Sequence, residues 1–327
     1  LGSCGGGVAV ASKLSDITLM DAENGKLFVN SPNAVLGNRE EKCDTASAKF
    51  QAEAGNADIV CDSEGEVLSK IRELIGLLPA NAGASAEEET ADDMNRMLDG
   101  FDAYKTDAAE ALTQIADENR FIQLKEAYGP EMVVGLMKLD GATVGAIANS
   151  KEGVLSTAGC KKAEQFVYFC DSFGIPVITL TNVKEYASSM EEEKTISQAV
   201  ADMMYAFASA DIPKINVITG EAYGSAYVAM NSKSVGADLV YAWPTAEIGM
   251  MDAKLAAQIM YPDADADTQS AKAAKYKELQ SSPNVAAARG YVDAIIEPAD
   301  TRKYVIGAFE MLFTKRENRP DKKHGTV

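Results

Sequence analysis

Two glycine turns in this chain match each other, and each demands a strand that ends abruptly at the start of a helix. The first is Gly2-Ser3-Cys4-Gly5-Gly6-Gly7-Val8-Ala9-Val10-Ala11, and the second is Gly220-Glu221-Ala222-Tyr223-Gly224-Ser225-Ala226-Tyr227-Val228-Ala229. Aligned on Gly2 and Gly220, Gly6 meets Gly224, Val10 meets Val228 and Ala11 meets Ala229. A short run with the look of a buried strand follows each, Asp16–Met20 and Asp238–Ala242. A helix opened by bare backbone N–H groups is a site for an anion or a developing oxyanion. Two such openings suggest an enzyme that stabilises two enolate-like oxygens. The plainer reading of each glycine is tight packing of helix on strand.

The rest of the chain reads as alternating strand and helix. Met132–Lys138 and Ala142–Ala148 flank Asp140-Gly141, a hairpin signal. A helix over about 157–173 follows, then the strand Val177–Leu180 after Pro176, a helix over about 194–209, and the strand Lys214–Thr219 after Pro213. This order predicts an α/β fold with a largely parallel sheet. Earlier, Lys26–Val29 reads as a strand, and Val67, Ile71, Leu74, Ile75 and Leu78 recur on one helical face. The small and acidic residues of 80–106 read as an exposed linker. The polar end, 315–324, reads as a surface tail. The second turn is preceded by a strand and the first by Leu1 alone, so the expectation is a first domain cut short at its N-terminus.

Composition removes several classes of chemistry. With a net charge of −18 the chain is a poor nucleic-acid surface. A polyanionic ligand such as a CoA ester would need local basic help. The only histidine is His324, which excludes a Ser-His-Asp triad and a multi-histidine zinc site inside the fold. Ser156, Thr157 and Ser225 therefore have no histidine to activate them. The five cysteines, Cys4, Cys43, Cys61, Cys160 and Cys170, form no Cys-x-x-Cys pair and read as reduced thiols of a cytoplasmic protein, with Cys160 and Cys170 in the core. No apolar run reaches the length of a membrane span, and no signal peptide is read at the start. Glu247 reads as a capping or paired carboxylate more readily than a catalytic one. The Met pairs at 203–204 and 250–251 read as packing.

These segments together resemble a family. Met132–Gly135 with Asp140–Gly145, Phe169–Thr179, Ala222–Tyr227, Tyr241–Ile248, Ala288–Ile296 and Lys322–Gly325 are similar to the C-terminal domain of biotin-dependent carboxyltransferases. Gly2–Asp16 and Leu77–Asn81 resemble matching segments of the N-terminal domain. The family comprises acyl-CoA carboxylase beta chains and the carboxyltransferase chains of decarboxylases such as methylmalonyl-CoA decarboxylase. The resemblance implies two crotonase-like (ClpP/crotonase) β-β-α superhelix domains: 1–105, the acyl-CoA side with its linker, and 106–327, the biotin side. It implies that the amides of Gly6 and Gly7 hold an acyl-thioester enolate and those of Ser225 and Ala226 hold the ureido oxygen of biotin, with Gly5, Gly224, Tyr227 and Val228 completing the binding surface. It further implies biotin on a separate carrier domain or protein, acyl-CoA as substrate, no metal, and partnership with a biotin carboxyl carrier protein and a biotin carboxylase or membrane decarboxylase subunit. A homo-oligomer, a trimer of dimers, is implied too, with each site between subunits. A non-catalytic scaffold subunit and a biotin-independent crotonase-type acyl-CoA enzyme are the alternatives. Four departures stand out. The histidines usual in the segment matching Asp44–Asp58 are absent, and Ser225 replaces the second glycine of its pair. Thr181–Tyr186 stands where the family usually reads Pro-Gly-Phe, and apolar Val228 holds a position often acidic in propionyl-type carboxylases.

Overall fold

The structure, a computed structural model, describes residues 1–38, 44–80 and 89–317. Cys43, His324, residues 81–88 of the expected linker and 318–324 of the expected tail lie outside the described residues, and the described end of that linker is not exposed throughout, because Leu98, Phe101 and Ala103 are buried in the core. The chain divides into two compact units, Leu1–Ala86 with Gln123–Pro130, and Glu87–Ile122 with Glu131–Val327.

The first unit is built from very short strands. β1 (Ser3–Gly5), β2 (Leu19–Asp21), β3 (Lys26–Phe28) and β4 (Ile59–Cys61) form two parallel pairs, β1 with β3 and β2 with β4. Ser3 stands opposite Lys26, and Leu19 opposite Ile59. Ala9, Met20, Leu27, Ala48, Ala52 and Ala57 make a small core of mostly alanine side chains. Lys125 ties the unit together: its Nζ donates to the Gly55 carbonyl at 2.5 Å and sits 3.1 Å from the Asp58 carboxylate. A strand therefore feeds the first glycine turn directly, although the sequence reading leaves nothing but Leu1 before it.

The second unit carries an eight-stranded sheet. Its strands are β5 (Phe121–Leu124), β6 (Met132–Leu139), β7 (Ala142–Asn149), β9 (Val177–Val183), β11 (Lys214–Tyr223), β12 (Leu239–Ala242), β13 (Glu247–Gly249) and β14 (Ala294–Ile295). The order is β14-β12-β11-β9-β7-β6-β5, with β13 pairing on β11. β6 and β7 are antiparallel neighbours because Asp140 and Gly141 adopt left-handed φ values of 49° and 78° and close a tight hairpin. From β7 to β14 the pairs are parallel and connected through helices, so β9 is buried along its whole length, as the apolar run Val177–Leu180 predicts. Two small strands, β8 (Val154–Leu155) and β10 (Glu185–Tyr186), pair beside the sheet.

Several buried polar groups in this unit are answered internally. Lys214, at the start of β11, donates to the Phe207 and Ala210 carbonyls at 2.7 Å each, where the helix Ile196–Ser209 ends. Trp243 Nε1 donates to Thr301 Oγ1 at 3.1 Å and its ring meets Phe101 edge-on at 5.4 Å. Cys160 and Cys170 lie on the helix Thr157–Phe173, fully buried. Burial pushes the Cys160 thiol up to about 12 and also raises the Cys170 thiol well above its ordinary value. Both thiols should therefore resist a disulfide-exchange reagent at pH 8 in the native protein and react on denaturation, while half-buried Cys4 reacts without it. Mass spectrometry of the labelled protein checks this.

Candidate functional site

Each unit contains one glycine turn, and the two have the same backbone device. In the first unit β1 ends at Gly5, Gly6 turns with φ 59° and ψ −127°, and the helix Gly7–Ser12 begins. The Gly6 N–H is taken by the Phe28 carbonyl at 2.9 Å, while its own carbonyl accepts from Ala9 and Val10. That leaves the amides of Gly7 and Val8 at helix positions with no intrahelical acceptor, and no side chain caps them. Gly5 serves packing instead, since a Cβ there would stand 2.7 Å from the Phe28 ring.

In the second unit β11 runs through Gly220 to Tyr223, and the chain turns at Gly224 with φ 58° into the helix Gly224–Ala229. The sequence reading ends this strand at Thr219 and turns the chain at Gly224. Instead Gly220 is an interior strand residue, and the Tyr104 ring occupies the space its Cβ would need. The glycines that correspond in conformation are Gly6 and Gly224. No side chain caps the second helix either, so the Ser225 and Ala226 amides sit in its first turn without a side-chain acceptor.

The approach to the second turn is fixed by a bulge. Pairing of β11 with β9 passes from Ile218–Thr181 to Ala222–Val183, so β11 gains extra chain just before Gly224. Asn182, from the segment that departs from the family pattern, holds this bulge. Its Oδ1 accepts from the Glu221 amide at 3.0 Å, and its Nδ2 donates to the Ser150 and Lys151 carbonyls at 3.0 and 3.3 Å. Its own amide donates to Asn149 Oδ1 at 3.2 Å. Nothing in the local sequence marks Asn182 for this role, since every partner is remote.

Two clefts of the second unit meet at this turn. The larger, about 910 Å³, is lined by Gly224, Ser225, Tyr227, Val228, Ile248 and Met250 at the turn, and by Lys233, Lys272, Lys275 and Arg289 farther out. In a chain of net charge −18 these side chains put positive charge along the cleft, although that of Lys233 is answered by Asp293 at 2.5 Å. The smaller, about 410 Å³, is lined by Lys184, Tyr186, Glu221, Ser225, Ala226 and Asp252 among others. Ser225 is exposed and borders both clefts, Ala226 is buried, and Val228 is half-buried on the larger cleft. Tyr227 is buried, which pushes its hydroxyl up to about 12 with a smaller contribution from Tyr291, so it is a neutral wall.

Glu247 accepts from the Tyr223 hydroxyl at 2.8 Å and pairs with Lys277 at 2.5 Å, the paired role expected for it. Glu221 has its carboxyl raised by burial, opposed by Lys184 and reinforced by Glu247. Among the described residues no group of histidine, cysteine and carboxylate side chains is arranged to hold a metal ion. Among them, too, no helix is long and apolar enough to cross a membrane.

The arrangement offers backbone donors in preformed geometry and no activated side-chain nucleophile. Known proteins resemble it in sequence and fold. The chain is 34% identical to the propionyl-CoA carboxylase beta chain of Saccharopolyspora erythraea, over 100% of this chain and 66% of that protein. It is 35% identical to the methylmalonyl-CoA decarboxylase subunit alpha of Veillonella parvula, over 100% of this chain and 67% of that one. Among solved structures it matches a hexameric transcarboxylase 12S crystallised with hydrolysed methylmalonyl-coenzyme A, with a TM-score of 0.92 and 32% identity over 99% of this chain and 66% of that chain. The chain thus spans about two thirds of the length of these relatives, and its fold is the crotonase-like α/β fold that the resemblance implies. The profile of the family described as "Carboxyl transferase domain" matches residues 1–327, and the chain belongs to that family.

Proposed function

We propose that this protein is the carboxyltransferase subunit of a biotin-dependent enzyme, moving a carboxyl group between biotin and a short acyl-CoA. The observation that supports the reading best is the pair of uncapped helix openings at Gly7-Val8 and Ser225-Ala226, each behind a glycine with φ near 60°. The first unit takes the acyl-CoA side, where the Gly7 and Val8 amides face the thioester oxygen as it gains charge. The second takes the biotin side, where the Ser225 and Ala226 amides face the ureido oxygen. Bound biotin supplies the carboxyl carrier and the base for the acyl α-proton. The protein's own part is to orient both partners and stabilise oxyanions with fixed dipoles, which suits a fold with no histidine among its described residues. The residues at the second turn fit such a group: backbone donors, apolar walls at Val228 and Ile248, and a cleft open to a carrier arm. Partners of this reading are a biotin carboxyl carrier protein, a carboxylase or membrane decarboxylase subunit, and further copies of the chain.

The test is transfer of a radiolabelled carboxyl group from methylmalonyl-CoA or malonyl-CoA to a biotinylated carrier by the full-length protein. Label on the carrier is expected. Absence of label with every acyl-CoA offered, from protein that binds carrier and CoA ester, would favour a scaffold subunit instead.

A further inference from the structure

Two of the sequence's departures from the family pattern touch each other. Ser225 stands where the second glycine of the pair is usual, and Tyr186 ends the segment that replaces Pro-Gly-Phe. They are 39 residues apart, yet the Tyr186 hydroxyl donates to Ser225 Oγ at 3.2 Å. Both residues border the 410 Å³ cleft.

The phenol is delivered by a rigid mount. Tyr186 lies in β10 opposite Leu155 of β8, and Leu155 is fully buried. On either side the backbone is pinned, Lys184 N–H to the Gly153 carbonyl and Ala187 N–H to the Leu155 carbonyl, both at 2.8 Å. The ring is half-buried, and burial raises its hydroxyl above the ordinary tyrosine range, against the opposing effect of the Ser225 contact, so it is a protonated donor at neutral pH. A serine hydroxyl that accepts one hydrogen bond keeps one proton to donate. Among the described residues no other group bonds to the Ser225 hydroxyl, and its side chain is exposed to both clefts.

We propose that Tyr186 is a positioning residue for the biotin side of the site: by donating to Ser225 it fixes the serine rotamer so that the serine's own proton is offered to the bound group's oxygen, a side-chain donor beside the backbone ones. The proposal rests on the carboxyltransferase reading, and it makes the two departures one device. A glycine at 225 has no hydroxyl to offer. A phenylalanine at 186 leaves the serine hydroxyl free to rotate.

The experiment is a double-mutant cycle on the full-length protein with a biotinylated carrier, using Y186F, S225A and the double variant, with kinetics taken separately against carrier and acyl-CoA. Loss of one hydrogen bond should lower kcat/KM for the carrier by about 5- to 10-fold. Each single variant should show that loss with the KM for acyl-CoA unchanged, and the double variant should be no worse than either single one. Losses that multiply, a shift in the acyl-CoA KM, or no loss at all would overturn the proposal while an active wild type left the carboxyltransferase reading standing. A wild type that transfers nothing would remove that reading, and this proposal with it. Melting temperatures separate a packing defect from the intended effect. If Y186F unfolds, S225A decides alone, because truncating an exposed side chain leaves the fold intact: a carrier-selective loss supports the proposal and no loss overturns it.

Discussion

Gly224→Val should lower kcat for carboxyl transfer by about 100- to 1000-fold, the range for losing an oxyanion donor. The residue sits at φ 58°, where a β-branched side chain is strained, and even a Cβ would lie 3.1 Å from the Met250 carbonyl. The backbone must rotate to relieve this, and the Ser225 and Ala226 amides rotate with it. The loss should come from misdirection, since strain of this kind costs only about 1–3 kcal/mol of stability. Gly174→Ala is the control. Gly174 caps the helix Thr157–Phe173 at φ 66°, with open space where its Cβ would go, so it carries comparable strain far from the turn. That variant should lose about 1 kcal/mol of stability and keep its kcat. Steady-state kinetics beside thermal unfolding of both variants checks the pair.

Arg302→Ala should destabilise the second unit by about 3–5 kcal/mol, the cost of breaking a buried ion pair from one side. Arg302 is fully buried on the helix Thr301–Leu312. Its Nη1 donates to the Ile115 carbonyl at 2.7 Å and its Nη2 to Asp117 Oδ1 at 2.6 Å. The same Asp117 carboxylate accepts from the Asp140 and Gly141 amides at 3.0 and 2.7 Å, which pins the β6–β7 hairpin turn. Removing the guanidinium leaves a buried carboxylate without its counter-ion, so the hairpin loosens as well. A fall in melting temperature on the order of 10 °C follows for a unit of this size. Arg302→Lys should recover only part of it, because an ammonium cannot reach both acceptors in the guanidinium's planar geometry. Differential scanning calorimetry reads both variants.

Features set by local chemistry were legible in the sequence. Asp140-Gly141 marked its hairpin, and the runs after Pro176 and Pro213 marked β9 and β11. Gly6 and Gly224 were legible as turns because left-handed backbone selects glycine. What remained hidden depends on contacts distant in the chain. The extension of β11 through Gly220 to Tyr223 rests on Tyr104 filling the space beside Gly220, and no pattern near residue 220 signals a tyrosine so far upstream. β1 is three residues long, too short to show a period. The apolar face read on 67–78 was only partly used: Val67 and Leu74 are buried, while Ile75 is 66% exposed. Asn182 and Tyr186 were visible only as departures from a pattern. In the fold, one holds the bulge and the other touches Ser225.

The central claim is that Ser225 and Ala226 receive the biotin ureido oxygen on their backbone amides. A crystal structure of the full-length protein with biocytin, the lysine-linked form that mimics the carrier arm, tests it most directly. The account predicts that oxygen within about 2.7–3.1 Å of both amide nitrogens, with the ring against the cleft walls near Val228. Biocytin ordered elsewhere, with the Gly224 turn empty at saturating ligand, would contradict it.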